Sequence, residues 1–197
     1  VPTIVVDPRR TTLAEAAAIH LQPRPGTDGA LALGLAHVIL AEGLEDKEFL
    51  AAHAHGFDEY AAYVGEFTPE RTQEITGVEA EKIAAAARLY GGARPAQLTV
   101  SQEATVQHSN GFQNHRAILL LPALTGNLDV AGGNKPFDHR LKEGNVTLRS
   151  ELFPSLAIQM GAKEFPVFTE GYKEGQAMLL AEYIEQGRVK AVVSMGT

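Results

Sequence analysis

The sequence predicts an α/β fold: a Rossmann-like, mostly parallel sheet flanked by helices. Three observations predict it. Short runs rich in β-branched residues, at Thr3–Val6, Gln97–Ser101 and Val189–Met195, suit strands buried on both faces. Helical patterns separate these runs. Each run is followed by a polar or glycine-bearing turn, the place where parallel sheets carry their ligands.

The elements follow in order. Thr3 to Val6 is a strand closed by Asp7-Pro8. Thr11 to Ala18, rich in alanine, reads as a short helix capped by Thr11 or Thr12. Ile19 to Gln22 is a second short strand, and Pro23-Arg24-Pro25-Gly26 a turn. Thr27 or Asp28 then caps a helix to about Glu42, with Leu31, Leu35, Val38 and Ile39 at helical spacing. Four more helices are predicted at Lys47–His55, Phe57–Val64, Pro69–Ile75 and Glu79–Leu89. The third opens on Thr68-Pro69, a capping residue followed by proline at the first helical position. Gly91-Gly92 stops the fourth. Gln97 to Ser101 is the next strand, and Asn110 to Thr125 a nearly unbroken apolar helix. From Gly126 to Phe168 periodicity is weak, and long irregular segments of this kind are usually functional or packed by another part of the protein. Lys173 to Gly187 is a helix and Val189 to Met195 a strand. The chain opens inside one strand, without Met, and closes as another finishes, so an internal fragment of a longer protein is expected.

Composition narrows the function. A net charge of −7 and a pI of about 5.5 argue against nucleic acid as a partner. The 197 residues contain no cysteine, which rules out a disulfide, an iron–sulfur cluster or a thiolate metal site within this segment. No apolar run reaches transmembrane length and no signal-peptide pattern opens the chain, so no membrane contact is expected of it.

The strand-end turns supply the candidates. Asp7-Pro8-Arg9-Arg10-Thr11 follows the first strand; a plain turn with solvated arginines explains it, but Asp7 could accept from a base and the arginines could meet phosphate. Gly26-Thr27-Asp28 follows the second; a helix cap explains it and is favoured over a ligand role. Polar side chains crowd the entry to the apolar helix: Gln107, His108, Asn110, Asn114 and His115. One cap would suffice for a structural helix, and the reading of Gln107-His108 stays open between cap and site. His53 and His55 face apart on a helix, His20, His37 and His139 have no partner spacing, and His108 with His115 lacks a third ligand, so a histidine metal site is not expected. Glu42, Glu45, Asp46 and Glu48 read as a solvated acidic face. Neither the GxGxxG fingerprint nor a Walker pattern is present.

Taken together the segments resemble a known family. VVDPRRTTLAEAAAIHLQPRPGTDGALALGLAHVILAEGLEDKEFL, FTPERTQEITGVEAEKIAAAARLY and TVQHSNGFQNHRAILLLPALTGNLDVAGGN are similar to the molybdopterin oxidoreductases of the dimethyl sulfoxide reductase family. The closing GRVKAVVSMGT resembles the family's strand that leads to a Gly-x-Asn-type turn. The resemblance implies a large enzyme that carries molybdenum or tungsten between two pyranopterin guanine dinucleotides, a bis(molybdopterin guanine dinucleotide) cofactor. It implies that residues 1–133 are the second half of one dinucleotide-binding domain. Residues 134–197 would be an irregular region and the start of another.

By the same resemblance Asp7, Pro8, Arg9, Arg10 and Thr11 line the guanosine end of one cofactor. Gly26, Thr27 and Asp28 do so too, Asp28 toward the guanine or ribose, and Glu103 and Gln107 lie on the pterin side. No catalytic or metal-ligating residue is assigned. Partners would be the rest of the same catalytic subunit, and the family allows an iron–sulfur electron-transfer subunit. A 4Fe–4S cluster is allowed in the full-length protein but not in this segment. The family occupies prokaryotic cytoplasm or periplasm, so the compartment stays open, and the segment alone is expected to be inactive. Formate dehydrogenases of the family carry Pro-x-Arg-Gly where this chain reads Lys135-Pro136-Phe137-Asp138. An acidic Asp138 would repel formate, which counts against formate oxidation and places substrate identity in Lys135–Phe168. The alternatives are a Rossmann-like NAD or flavin domain, and a non-catalytic helical interaction domain built on Lys47–Tyr90.

Overall fold

Two β-branched segments begin the structure, a computed structural model that describes residues 1–101, 105–135, 160–167 and 179–192. Ile4–Val6 forms β1 and Ile19–Leu21 forms β2. They pair in parallel, Ile4 beside Ile19, Val5 beside His20 and Val6 beside Leu21. The crossover carries α1, Thr12–Ala16, whose cap is Thr11: its side chain accepts from Ala14 N–H at 3.2 Å. The chain divides into two units, Val1–Phe137 and Asp138–Thr197.

Helix α2, Asp28–Ala41, is apolar on every side, as suits a helix surrounded by others. It packs against α7 (Gly111–Leu124), α6 (Ala80–Gly91), α5 (Pro69–Thr76) and α4 (Phe57–Val64). Two glycines make this crowding possible. A Cβ on Gly29 would stand 2.5 Å from Asn114 Oδ1, and one on Gly34 would stand 2.5 Å from Thr72 Oγ1. With hydrogen there instead, α7 and α5 can approach to backbone distance. The buried cluster around α2 includes Ile39, Val64, Ala87, Leu121 and Leu124. A second cluster joins the sheet to α6 through Leu21, Leu31, Val78 and Ile83. Leu35 packs against both.

The termini of the helices follow their sequence signals. Asp46 caps α3 (Lys47–His53), accepting from Phe49 N–H at 2.9 Å, and Thr68 caps α5, accepting from Arg71 N–H at 3.3 Å. Gly77 ends α5 in the left-handed conformation, φ 79°. The Arg24 guanidinium donates to the carbonyls of Glu74 and Ile75 at 2.8 and 3.1 Å, satisfying the exposed end of α5. In the second unit, α8 (Leu180–Glu185) buries Tyr183, whose hydroxyl accepts from Gly161 N–H at 3.4 Å. The Arg188 guanidinium lies 3.6 Å from that ring's centre.

The molecule is thus mainly helical with a small parallel sheet, consistent with α/β. Among the described residues β1 and β2 are the only strands. Gln97–Ser101, expected as a strand, takes no strand pairing. Asparagine side chains hold it instead. Asn134 Oδ1 accepts from Leu98 N–H at 2.9 Å, and Asn134 Nδ2 donates to Leu98 O at 2.6 Å. Asn127 Oδ1 accepts from Ala96 N–H at 2.8 Å. The carboxamide of Asn134 offers one acceptor and one donor side by side, the same pair a neighbouring strand would present. Residues 189–192 of the other expected strand likewise take no strand pairing, and Val193–Met195 lie outside the described residues. So do residues 173–178 of the expected Lys173–Gly187 helix, whose described part is helical only over Leu180–Glu185. The irregular region is described only in part, from Gly126 to Lys135 and over 160–167.

Candidate functional site

The turns after β1 and β2 lie side by side because the strands are parallel and paired. Asp7 N–H donates to Leu21 O at 3.1 Å. From β2 the His20 ring Nε2–H donates to Asp7 O at 2.9 Å, and just beyond it Gln22 Nε2 donates to Pro8 O at 3.3 Å. Since a carbonyl only accepts, His20 carries its proton on Nε2 here. Inside the first turn Asp7 Oδ1 accepts from Arg9 N–H at 2.7 Å, an Asx turn that sets where the Arg9 side chain leaves the backbone.

Beside these turns is a cleft of about 760 Å³. One wall is Asp7, Pro8 and Arg9; a second is Pro25, Gly26 and Asp28; a third is the extended segment Leu98–Ser101 with Thr105, His108 and Ser109. Its floor is apolar, from Leu31, Leu35, Ile118 and Leu121. A mostly apolar concavity with a few convergent polar groups is the usual form of a small-molecule site.

Two charged side chains of the cleft are weakly held or unpaired. The Arg9 guanidinium is 82% exposed, its one ion pair the long 3.7 Å contact to Asp7. The Asp28 carboxylate has no hydrogen bond or ion pair among the described residues. Thr27 stands at the N-cap of α2 but does not cap it: its hydroxyl donates to Arg24 O at 2.7 Å, closing the preceding turn. The favoured cap reading of Thr27 and Asp28 is therefore corrected. The first-turn N–H groups of α2 are left for another acceptor. At Gly26, φ 85°, nothing lies within 4 Å of where a Cβ would stand.

The expected site residues divide as follows. Asp7, Pro8, Arg9, Gly26 and Asp28 come together in the cleft. Arg10 is exposed and pairs with Glu15 at 3.5 Å. Thr11 serves α1 as its cap. Gln107 is exposed and absent from the lining. Glu103 lies outside the described residues.

His20, weighed in the sequence only as a metal ligand, and Thr105 and Asn114, within the polar run before the apolar helix, all take protein partners here. Thr105 is buried; its hydroxyl donates to Ser101 O at 2.9 Å and accepts from His115 Nδ1–H at 2.7 Å. His108 instead meets Asn114 Nδ2 at 3.4 Å, so the two histidines serve different partners. The signal for Asn114 was visible: an amide inside an apolar helix face must find partners. Among the described residues no group of three His, Asp or Glu side chains could hold a metal ion, and no helix is long and apolar enough to cross a membrane. Away from the cleft, the Arg88 guanidinium holds the Glu42 carboxyl below its usual range. Burial pushes the Tyr60 phenol up to about 12.

Comparison with known proteins decides the lineage. The family model described as molybdopterin oxidoreductase matches residues 1–197. The chain belongs to the molybdopterin oxidoreductase family. Dimethyl sulfoxide reductase DmsA of Escherichia coli (strain K12) is 36% identical over 197 residues, 89% of this chain and 24% of that protein. A probable dimethyl sulfoxide reductase chain of the same organism, YnfF, is 39% identical over 173 residues, 78% of this chain and 21% of that one. Among solved structures, acetylene hydratase from Pelobacter acetylenicus superposes with a TM-score of 0.61 at 40% identity, over 64% of this chain and 17% of that one. This molybdopterin oxidoreductase chain therefore spans about a quarter or less of the relatives it matches.

Proposed function

We propose that the chain is an internal segment of the catalytic subunit of a molybdenum or tungsten enzyme for two-electron oxidoreduction. Its cleft takes the guanosine end of one molybdopterin guanine dinucleotide. The observation that carries this is the meeting of Asp7, Arg9, Gly26 and Asp28 at the carboxyl ends of two parallel strands. The groups present fit such a ligand. Arg9 and the unclaimed N–H groups at the start of α2 suit phosphate. The unpartnered Asp28 carboxylate suits a donor pair on guanine or the ribose hydroxyls. The apolar floor suits a flat base. When bound, the cofactor supplies the redox chemistry, and the protein supplies binding and orientation. The complete dinucleotide-binding domain is Rossmann-like, with β1 and β2 as part of its sheet. The remaining walls, the second dinucleotide and the electron partner come from outside this segment, which is inactive alone.

Elemental analysis and acid release of nucleotide from the full-length protein test the proposal. Molybdenum or tungsten with a pair of guanine nucleotides per chain is the expected result. Metal-free protein that releases NAD or flavin would overturn it. Within the full-length protein, Asp28→Ala lowers guanine nucleotide content with little change in melting temperature. Unchanged content with a lowered melting temperature would return Asp28 to a helix-capping role.

A further inference from the structure

Asn114 is 2% exposed, yet it sits on α7 among apolar neighbours. Burying a carboxamide is costly unless its donors and acceptor are used. They are. Nδ2 donates to Gly26 O at 3.0 Å, and its second proton points to His108 Nε2 at 3.4 Å. Oδ1 accepts from Asn110 Nδ2 at 3.2 Å. The orientation of the amide is forced: Gly26 O is only an acceptor, so the nitrogen must face it. Gly29 lacks a Cβ at the place where one would collide with this carboxamide. The seat for Asn114 is thus cut into α2 directly beside the turn that lines the cleft.

We propose that Asn114 is a positioning residue of the dinucleotide cleft. Its side chain ties the turn after β2, at Gly26, to the segment entering α7, at His108, so that two walls of the cleft are held in one arrangement. Asn114 touches no ligand itself. It acts through the Gly26 carbonyl, whose direction fixes the peptide plane leading into Thr27 and Asp28. A left-handed Gly26 is a soft point in the chain, and without the bond the turn gains freedom that ligand binding must then remove. The proposal rests on the dinucleotide reading above.

The experiment uses the full-length protein and three variants. Asn114→Asp keeps the size and the acceptor for Asn110 but sets a carboxylate oxygen against the Gly26 carbonyl. Asn114→Ala removes the tie altogether. Val64→Ala opens a cavity in the same helical core, at a residue that lines no wall of the cleft. Guanine nucleotide per chain and melting temperature are measured for each. The expected result is that both Asn114 variants lose half or more of their guanine nucleotide. Val64→Ala keeps its full complement at an equal or larger fall in melting temperature. Loss in all three that tracks melting temperature, or full retention in Asn114→Asp, would overturn the positioning role. Absence of guanine nucleotide from the unaltered protein would instead refute the dinucleotide reading, which the variants cannot do.

Discussion

Asn134→Ala should release the third wall of the cleft. The carboxamide makes two hydrogen bonds to Leu98, at 2.9 and 2.6 Å, and no strand replaces them among the described residues. Each bond contributes about 1 kcal/mol net, and Leu98 is half-buried, so its N–H and C=O are left poorly solvated. The sum is roughly 2 kcal/mol, or about a thirtyfold rise in the open population of the segment. Hydrogen exchange followed by mass spectrometry, on a peptide covering Ala96–Ser101, reads this directly as a loss of protection of that size. Peptides from α6 and α2 should be unchanged, because neither packs through Asn134. Asn134→Asp keeps an acceptor for Leu98 N–H but opposes Leu98 O, and should fall close to the alanine variant. Full protection of Ala96–Ser101 in Asn134→Ala would refute the reasoning and show that the asparagine is a bystander to a different restraint.

Two further outcomes follow from the core. Gly34→Ala places a methyl 2.5 to 2.9 Å from the Thr72 side chain, and should cost about 1–3 kcal/mol as overpacking. Thermal unfolding would show the loss, and Thr72→Ala in the same chain should recover much of it. Tyr60→Phe should be neutral or slightly stabilising at pH 7, because the buried Tyr60 hydroxyl has no partner. The same variant changes the alkaline limb. Folded Tyr60 keeps its proton to about 12 while the unfolded phenol ionises near its ordinary value of 10.0, so stability present below pH 10 declines as pH rises from there through 12. Denaturant titrations across that range should show a shallower decline in Tyr60→Phe, and an identical slope would contradict the burial argument.

Helices were legible because their signals are local. Thr68-Pro69 marks an end by chemistry that acts within one turn, and the structure uses it as expected; Asp46, read as part of a solvated acidic face, instead caps α3. Parallel pairing of the first two strands was legible because a helical segment separates them, the mark of a crossover. Gln97–Ser101 was not. Its composition is that of a strand, but what an extended segment pairs with is decided by residues far along the chain, here Asn127 and Asn134. In the cleft, Asp7, Arg9, Gly26 and Asp28 were found because they follow strands, whereas Arg10 and Thr11 follow the same strand and face other work. Adjacency in sequence could not separate them. Thr27 shows the limit of residue-type rules. Threonine at the position before a helix has two uses for its hydroxyl, and here it bonds the carbonyl of Arg24 and no helix amide.

Helix α2 joins these observations in another way. Asp28 opens it, Gly29 receives Asn114, and Gly34 receives Thr72. Gly34 lies six positions after Asp28, a rise of about 9 Å along a stiff helix gripped on both sides. The helix works as a ruler pinned at two notches. A side chain on α5 therefore sets the height at which Asp28 stands, although it lines no wall of the cleft. A change of volume at Thr72 would therefore move Asp28 while leaving every residue of the cleft as it is.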